Sequence, residues 1–67
     1  MARAREGTAL GAETMVSARN SVAIGFQSQA GEENTVSIGS VGGERKLVNV
    51  ADGVNGTDGV NVGQLDT

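Results

Sequence analysis

Few side chains in this sequence are equipped for chemistry. Histidine and cysteine are absent, which removes the commonest general base and the thiolate nucleophile, and no serine has an evident base beside it. Glu32 and Glu33 are adjacent, whereas an acid and base pair must flank a bond, so they read as a solvated turn. Arg45 and Lys46 could meet an anion, but exposed cations alone signify little, and an intersubunit or solvent role is the expectation. The stretch Asp52 to Asp58 has the look of a calcium loop, yet its carboxylates do not alternate correctly and the terminal glutamate is missing. Gly11, Gly25 and Gly39 are not followed by the Lys-Ser or Lys-Thr pair of a phosphate loop. The residues therefore point to no catalytic, cofactor or metal site, and to a protein that is not an enzyme.

What remains is architecture. A chain of 67 residues buries only about 60% of its unfolded surface as a monomer. Small domains offset this with disulfides, a metal or association with other chains, and without cysteine or histidine the third is the leading expectation. Phe26 is the one aromatic, and the hydrophobic content of 37% comes mainly from small and aliphatic residues. A net charge of −3 gives no basic footprint for nucleic acid, and no apolar run is long enough to cross a membrane. Residues 1–5 hold two arginines with no apolar stretch behind them, so they read as a lead rather than a secretory signal.

The small residues recur with a period. Thr8-Ala9-Leu10-Gly11, Val22-Ala23-Ile24-Gly25 and Val36-Ser37-Ile38-Gly39 stand fourteen residues apart, and Asn20-Ser21 recurs as Asn34-Thr35. A fixed period decides the architecture before local propensity does. Alternation places Val22 and Ile24 on one face of a strand and Ala23 on the other, with Gly25 closing it. A second extended piece at Ser28 to Ala30 and a turn at Gly31 to Asn34 complete a coil of two strands and two turns. Stacked coils would give an aliphatic column of Leu10, Ile24 and Ile38, an amide ladder of Asn20 over Asn34, and a charge column of Arg5, Arg19 and Glu33. Asn20 and Asn34 are expected to satisfy backbone groups rather than a ligand. The pattern allows either the aliphatic face or the small face of Ala9, Ala23 and Ser37 to meet other subunits.

The rhythm stops after Gly39. Gly42 to Lys46 reads as a polar, flexible junction, Leu47, Val48 and Val50 as a short strand, and Asp52 to Gly59 as turns. Val60, Val62 and Leu65 suggest the seam of a helix, with Asp58 or Thr57 as its cap. These readings divide the chain into a lead (1–5), a repeat region (6–43) and a second unit (44–67).

The repeats NSVAIG and NTVSIG, followed by ERKLVNVADGVNGTDGVNVGQL, resemble the head and neck of trimeric autotransporter adhesins of the YadA type. The neck resemblance is the more specific, because Asn49, Val50, Ala51, Gly53, Thr57, Asp58, Val60, Asn61, Gln64 and Leu65 keep the family's spacing without a gap. Gly59 stands where the family usually has alanine, which would loosen the first helical turn. The resemblance implies an all-β fold, a left-handed parallel β-roll in each subunit of a homotrimer, and a neck leading from Asp66 and Thr67 toward a coiled-coil stalk. It also implies display on the bacterial cell surface, with an outer-membrane anchor in C-terminal regions outside this sequence. Attachment to host cells or to matrix proteins such as collagen, fibronectin or laminin would be the function, and a passive spacer in a longer fibre is the alternative. A left-handed β-helix acyltransferase is a poor fit, since its repeat is six residues and its catalysis uses histidine.

Overall fold

In the computed structural model, which describes residues 1–65, five short strands and one short helix follow the repeat. The strands are β1 (Thr8–Leu10), β2 (Met15–Val16), β3 (Val22–Ile24), β4 (Gln29–Ala30) and β5 (Val36–Ser37), and the helix is α1 (Val62–Leu65). All pairing is parallel. One sheet has the order β1-β3-β5 and the other joins β2 to β4. The register equals the sequence period, with Ala9 beside Ala23, Ala23 beside Ser37 and Val16 beside Ala30. This is a β-roll, each coil bonding only to its neighbours.

The interior settles which face turns inward. Val16 and Ala23 are fully buried, and Ala30 is nearly so, with Ala4 and Ala9 packed against them. A coil with two strands back to back leaves room between the sheets for little more than methyl groups. Val16 and Ala30 from one sheet already meet Ala23 from the other, so isoleucine must face out. The small residues thus admit the roll's own second strand, not another subunit, which corrects one of the two options left by the sequence.

The corners obey a period of seven. Glu6, Glu13, Asn20, Gln27 and Asn34 all adopt positive φ, between 53° and 60°, a conformation that costs a non-glycine residue roughly 1–2 kcal/mol. Two sets of bonds offset the strain. Behind the corners, hydroxyls donate back across the turn, Ser21 to Ala18 O at 2.5 Å, Thr35 to Glu32 O at 2.7 Å and Thr14 to Gly11 O at 3.1 Å. Along the stack, Asn20 Nδ2 donates to Asn34 Oδ1 at 2.8 Å and Gln27 Nε2 donates to Glu13 Oε1 at 3.0 Å. The amide ladder expected from sequence is present, and an amide-to-carboxylate rung lies at the opposite corner. The charge column differs from expectation: Arg19 approaches Glu6, with Nε to Oε1 at 3.9 Å, both exposed, and no Arg19–Glu33 ion pair forms among the described residues.

Residues 1–4 are part of the pairing. Ala2 bridges Val16 in parallel, the Met1 ammonium donates to Thr14 O, and Arg3 N donates to Val16 O at 2.9 Å. The lead thereby supplies part of a strand position fourteen residues before Val16.

No strand forms at Leu47, Val48 and Val50. Leu47 and Val48 are exposed, and among the described residues no neighbouring segment pairs with them. The radius of gyration is 13.4 Å, against about 11 Å for a compact chain of this length, so the second unit extends from the roll instead of folding onto it.

Candidate functional site

The roll presents two unlike faces. On the β1-β3-β5 side the outward positions are Thr8, Leu10, Val22, Ile24, Val36 and Ile38. Leu10 is 63% exposed, Ile24 39% and Val36 66%. On the β2-β4 side the outward positions are Met15, Ser17, Gln29 and Gly31, with the Glu13–Gln27 ladder beside them. A contiguous aliphatic stripe on a water-exposed sheet is a feature that solvent penalises and a partner removes. The opposite face is shallow and, Met15 apart, made of polar or small residues.

The end of the roll is closed by an arginine. The chain turns back at Ser40–Gly43, where Gly43 N donates to Ser40 O at 2.8 Å and Gly42 sits at φ 85°. Arg45 is thereby returned to the roll, and its guanidinium donates to Phe26 O at 2.6 Å, Ile38 O at 3.0 Å and Ser28 Oγ at 3.0 Å. It lies flat on Gly25, where a Cβ would come within 3.1 Å of Cζ. Gly39 O accepts the Gln29 amide at 2.9 Å, so a turn carbonyl takes the place a further coil would fill. Gly39 cannot be larger, because a Cβ there would meet Gly43 O at 2.6 Å. The junction read as flexible is therefore anchored, and Arg45 holds its own subunit's carbonyls in place of the intersubunit or solvent role expected for it. Glu44 accepts from Gly42 N at 3.1 Å. Its own backbone amide first, and then that of Gly42, holds its carboxyl below the ordinary carboxylate value.

The second unit is tied by two amide side chains. Gln64 Oε1 accepts from Gly53 N at 2.9 Å while its Nε2 donates to Gly53 O at 3.0 Å, so one side chain pairs with the glycine backbone as a strand would. Asn61 Nδ2 donates to Asp52 Oδ1 at 2.6 Å and Val50 O at 3.0 Å. Asn61 also caps α1: its Oδ1 accepts from Gln64 N at 3.0 Å, and Gln64 Oε1 accepts from Asn61 N at 3.2 Å. This is the reciprocal capping box, here built on Asn-x-x-Gln.

Asp58 and Thr57 are not the cap. Asp58 Oδ2 accepts from Asn55 N at 3.0 Å and Val54 N at 3.2 Å, and those two amides, Asn55 first, hold its carboxyl below the ordinary value. Both carboxylates of the calcium-like stretch are thus engaged with protein donors, and among the described residues no cluster of three metal-ligating groups occurs. Gly59 precedes α1 by three residues, so it does not loosen a helical turn. A Cβ there meets nothing within 4 Å, so the alanine usual in the family would fit.

Of the residues singled out by sequence, Asn20 and Asn34 meet in the ladder, Gly25 and Gly39 admit the junction, and Asn61 and Gln64 meet Gly53. Asn49 takes φ 62°, as a turn residue would. Val60 and Val62 are exposed beside Leu47 and Val50 along a shallow apolar groove, and Leu65 is exposed at the end of α1. Asp66 and Thr67, where a stalk was expected to begin, lie outside the described residues. Sequence reasoning named Arg45 but missed its role in closing the roll. Its signal was positional, a lone arginine placed just after the repeat breaks on glycines.

Comparison with known proteins agrees with this geometry. Two copies of the YadA head domain repeat match at residues 2–28 and 17–40, more than half of the chain, and the coiled stalk of trimeric autotransporter adhesins matches at residues 46–67. Among solved structures, the C-terminal YadA-like domain of BPSL2063 from Burkholderia pseudomallei superposes with a TM-score of 0.86 at 28% identity. That match covers 97% of this chain and 43% of the other, so the chain spans less than half the length of that relative. No curated protein matches.

Proposed function

Since the chain belongs to the trimeric autotransporter adhesins with YadA-like head repeats, we propose that it is a non-enzymatic head-and-neck segment whose three copies associate through the outward face of β1-β3-β5. The observation that carries this reading is the aliphatic stripe of Leu10, Val22, Ile24, Val36 and Ile38, set against an interior of one valine and a few alanines. Fully burying a valine contributes about 1.5–3 kcal/mol, and fixing each residue's backbone costs about 1–2 kcal/mol. So small a core leaves the fold in need of a shared interior. The families matched are adhesin domains rather than enzymes, and proteins of this kind are displayed on the cell surface.

In this reading residues 6–43 form the head and 44–67 the neck and the start of the stalk, with Leu47, Val48, Val60 and Leu65 covered by neighbouring subunits. The parent is anchored in the outer membrane by regions outside this sequence. The polar β2-β4 face and the corner ladders turn outward toward host cells or extracellular matrix, and many trimers on one cell add avidity to shallow contacts. Saturable binding of the fragment to immobilised collagen or fibronectin, lost when Gln29 and Ser17 are both replaced by glutamate, supports attachment. A trimer that binds neither ligand nor cells supports the spacer reading.

A further inference from the structure

We propose that Asn55 is a self-modifying site, at which the backbone nitrogen of Gly56 closes on the Asn55 side chain, so that the exposed neck turn matures from asparagine to a mixture of aspartate and isoaspartate. The chain holds five asparagines, at 20, 34, 49, 55 and 61, and four of them are protected. Asn20 and Asn34 bond to each other through their side chains, and Asn61 is held by Val50, Asp52 and Gln64. Asn49 is followed by Val50, whose branched side chain crowds the attacking nitrogen.

Asn55 differs on every count. Its residue and Gly56 are exposed, and among the described residues neither its carboxamide nor the Gly56 N–H takes part in a hydrogen bond. Gly56 has no side chain to screen the nitrogen, and nothing lies within 4 Å of where a Cβ would be. The turn is meanwhile pinned on either side of the reacting pair. Asp58 N donates to Asn55 O at 3.0 Å, and Asn55 N donates to Asp58 Oδ2 at 3.0 Å. The two reacting groups, neighbours in the sequence, are both open to water.

The step is balanced without any co-reactant beyond water. Hydroxide takes the Gly56 amide proton, the nitrogen forms a bond to Asn55 Cγ, and the Cγ–Nδ2 bond breaks with Nδ2 leaving as ammonia. Water then adds to one or the other carbonyl of the succinimide ring, restoring the ordinary peptide as aspartate or diverting the main chain through the side chain as isoaspartate. Either product adds one negative charge, taking the net charge from −3 to −4. The new carboxylate stands in the same turn as Asp58, whose own carboxylate holds the Val54 and Asn55 amides, and the isoaspartyl form lengthens the backbone inside the turn that Asp58 closes. The neck turn is then loosened while the roll and its ladders are untouched.

The test is to hold the intact fragment at mildly alkaline pH, sample over days, and map mass gain and isoaspartate by fragmentation of the peptide that follows Lys46. Conversion at position 55 alone, faster at higher pH and at least tenfold slower in Gly56→Ala, supports the assignment. Gly56→Ala is not strained, because Gly56 lies outside the positive-φ region and has open space. Asn55→Gln should leave the fold and remove the conversion. No gain at position 55, equal gain at 49 or 61, an equal rate in Gly56→Ala, or a sugar mass on Asn55 in its place would each overturn it.

Discussion

Replacing Arg45 by alanine tests how the roll is joined to the unit that follows it. The guanidinium reaches three acceptors, Phe26 O, Ile38 O and Ser28 Oγ, which belong to two successive coils. Two of the bonds are exposed, so water can replace the lost donors and each counts near the low end of the usual 0.5–1.5 kcal/mol. The third, to Ser28, lies partly buried against Gly25, and losing it leaves a hydroxyl with fewer partners. The expected cost is about 2 kcal/mol in total, which in a chain of this size lowers Tm by roughly 10 °C. Arg45→Lys keeps the charge but not the planar fork, reaches at most part of the acceptor set, and should fall between the two. Thermal unfolding by circular dichroism, run at one fixed protein concentration because association shifts Tm, reads the effect. Hydrogen exchange should also show faster exchange at Gln29 N, whose acceptor Gly39 O is held by the junction. If Arg45→Ala melts within 2 °C of the parent, the guanidinium is a decoration and the main-chain turn alone sets the junction.

Asn20→Ala should cost about 2 kcal/mol, because alanine at φ 53° is strained and the 2.8 Å ladder bond is lost; Asn20→Gly should recover the strain component, and equal Tm losses in the two would contradict it. Ala23→Leu should destabilise by about 1–3 kcal/mol through overpacking at a fully buried position, and a neutral result would mean the interior is wider than described. The Asp58 carboxyl is held below its ordinary value in the folded chain, so it stabilises the turn above the ordinary carboxylate range and that contribution fades as pH falls through its lowered value. Amide shifts of Val54 and Asn55 followed through acid should report this, and Asp58→Ala should abolish the transition.

The coils were legible because a parallel stack repeats its environment, so the fourteen-residue period in Ala23 and Ile24 is also the register. Which face turned inward was not legible from one strand, since alternation is symmetric. Val16 and Ala30 on the second strand decide it by filling the narrow interior. The corners hid because Glu6, Glu13 and Gln27 are unusual residues for positive φ, and only the hydroxyl or glycine that follows each one marks the half-coil. In the second unit the family's spacing marks Asn61 and Gln64, while the sequence pattern alone places the cap at Asp58 or Thr57. The Asn-x-x-Gln spacing at 61 and 64 was the better signal, because it pairs two side chains reciprocally with two amides. The strand expected at Leu47 to Val50 followed apolar alternation, but alternation does not supply a partner, and none lies among the described residues.

In the proposed assembly the aliphatic face of β1-β3-β5 is covered by other copies of the chain. Sedimentation equilibrium of the fragment, with and without Ile24→Asp, addresses this most directly. The expected result is a species of three times the chain mass for the parent, and loss of both that species and the β-sheet signal for the variant. A monomer that keeps its full β-sheet signal at every concentration, with Ile24→Asp melting at the same temperature, would contradict it.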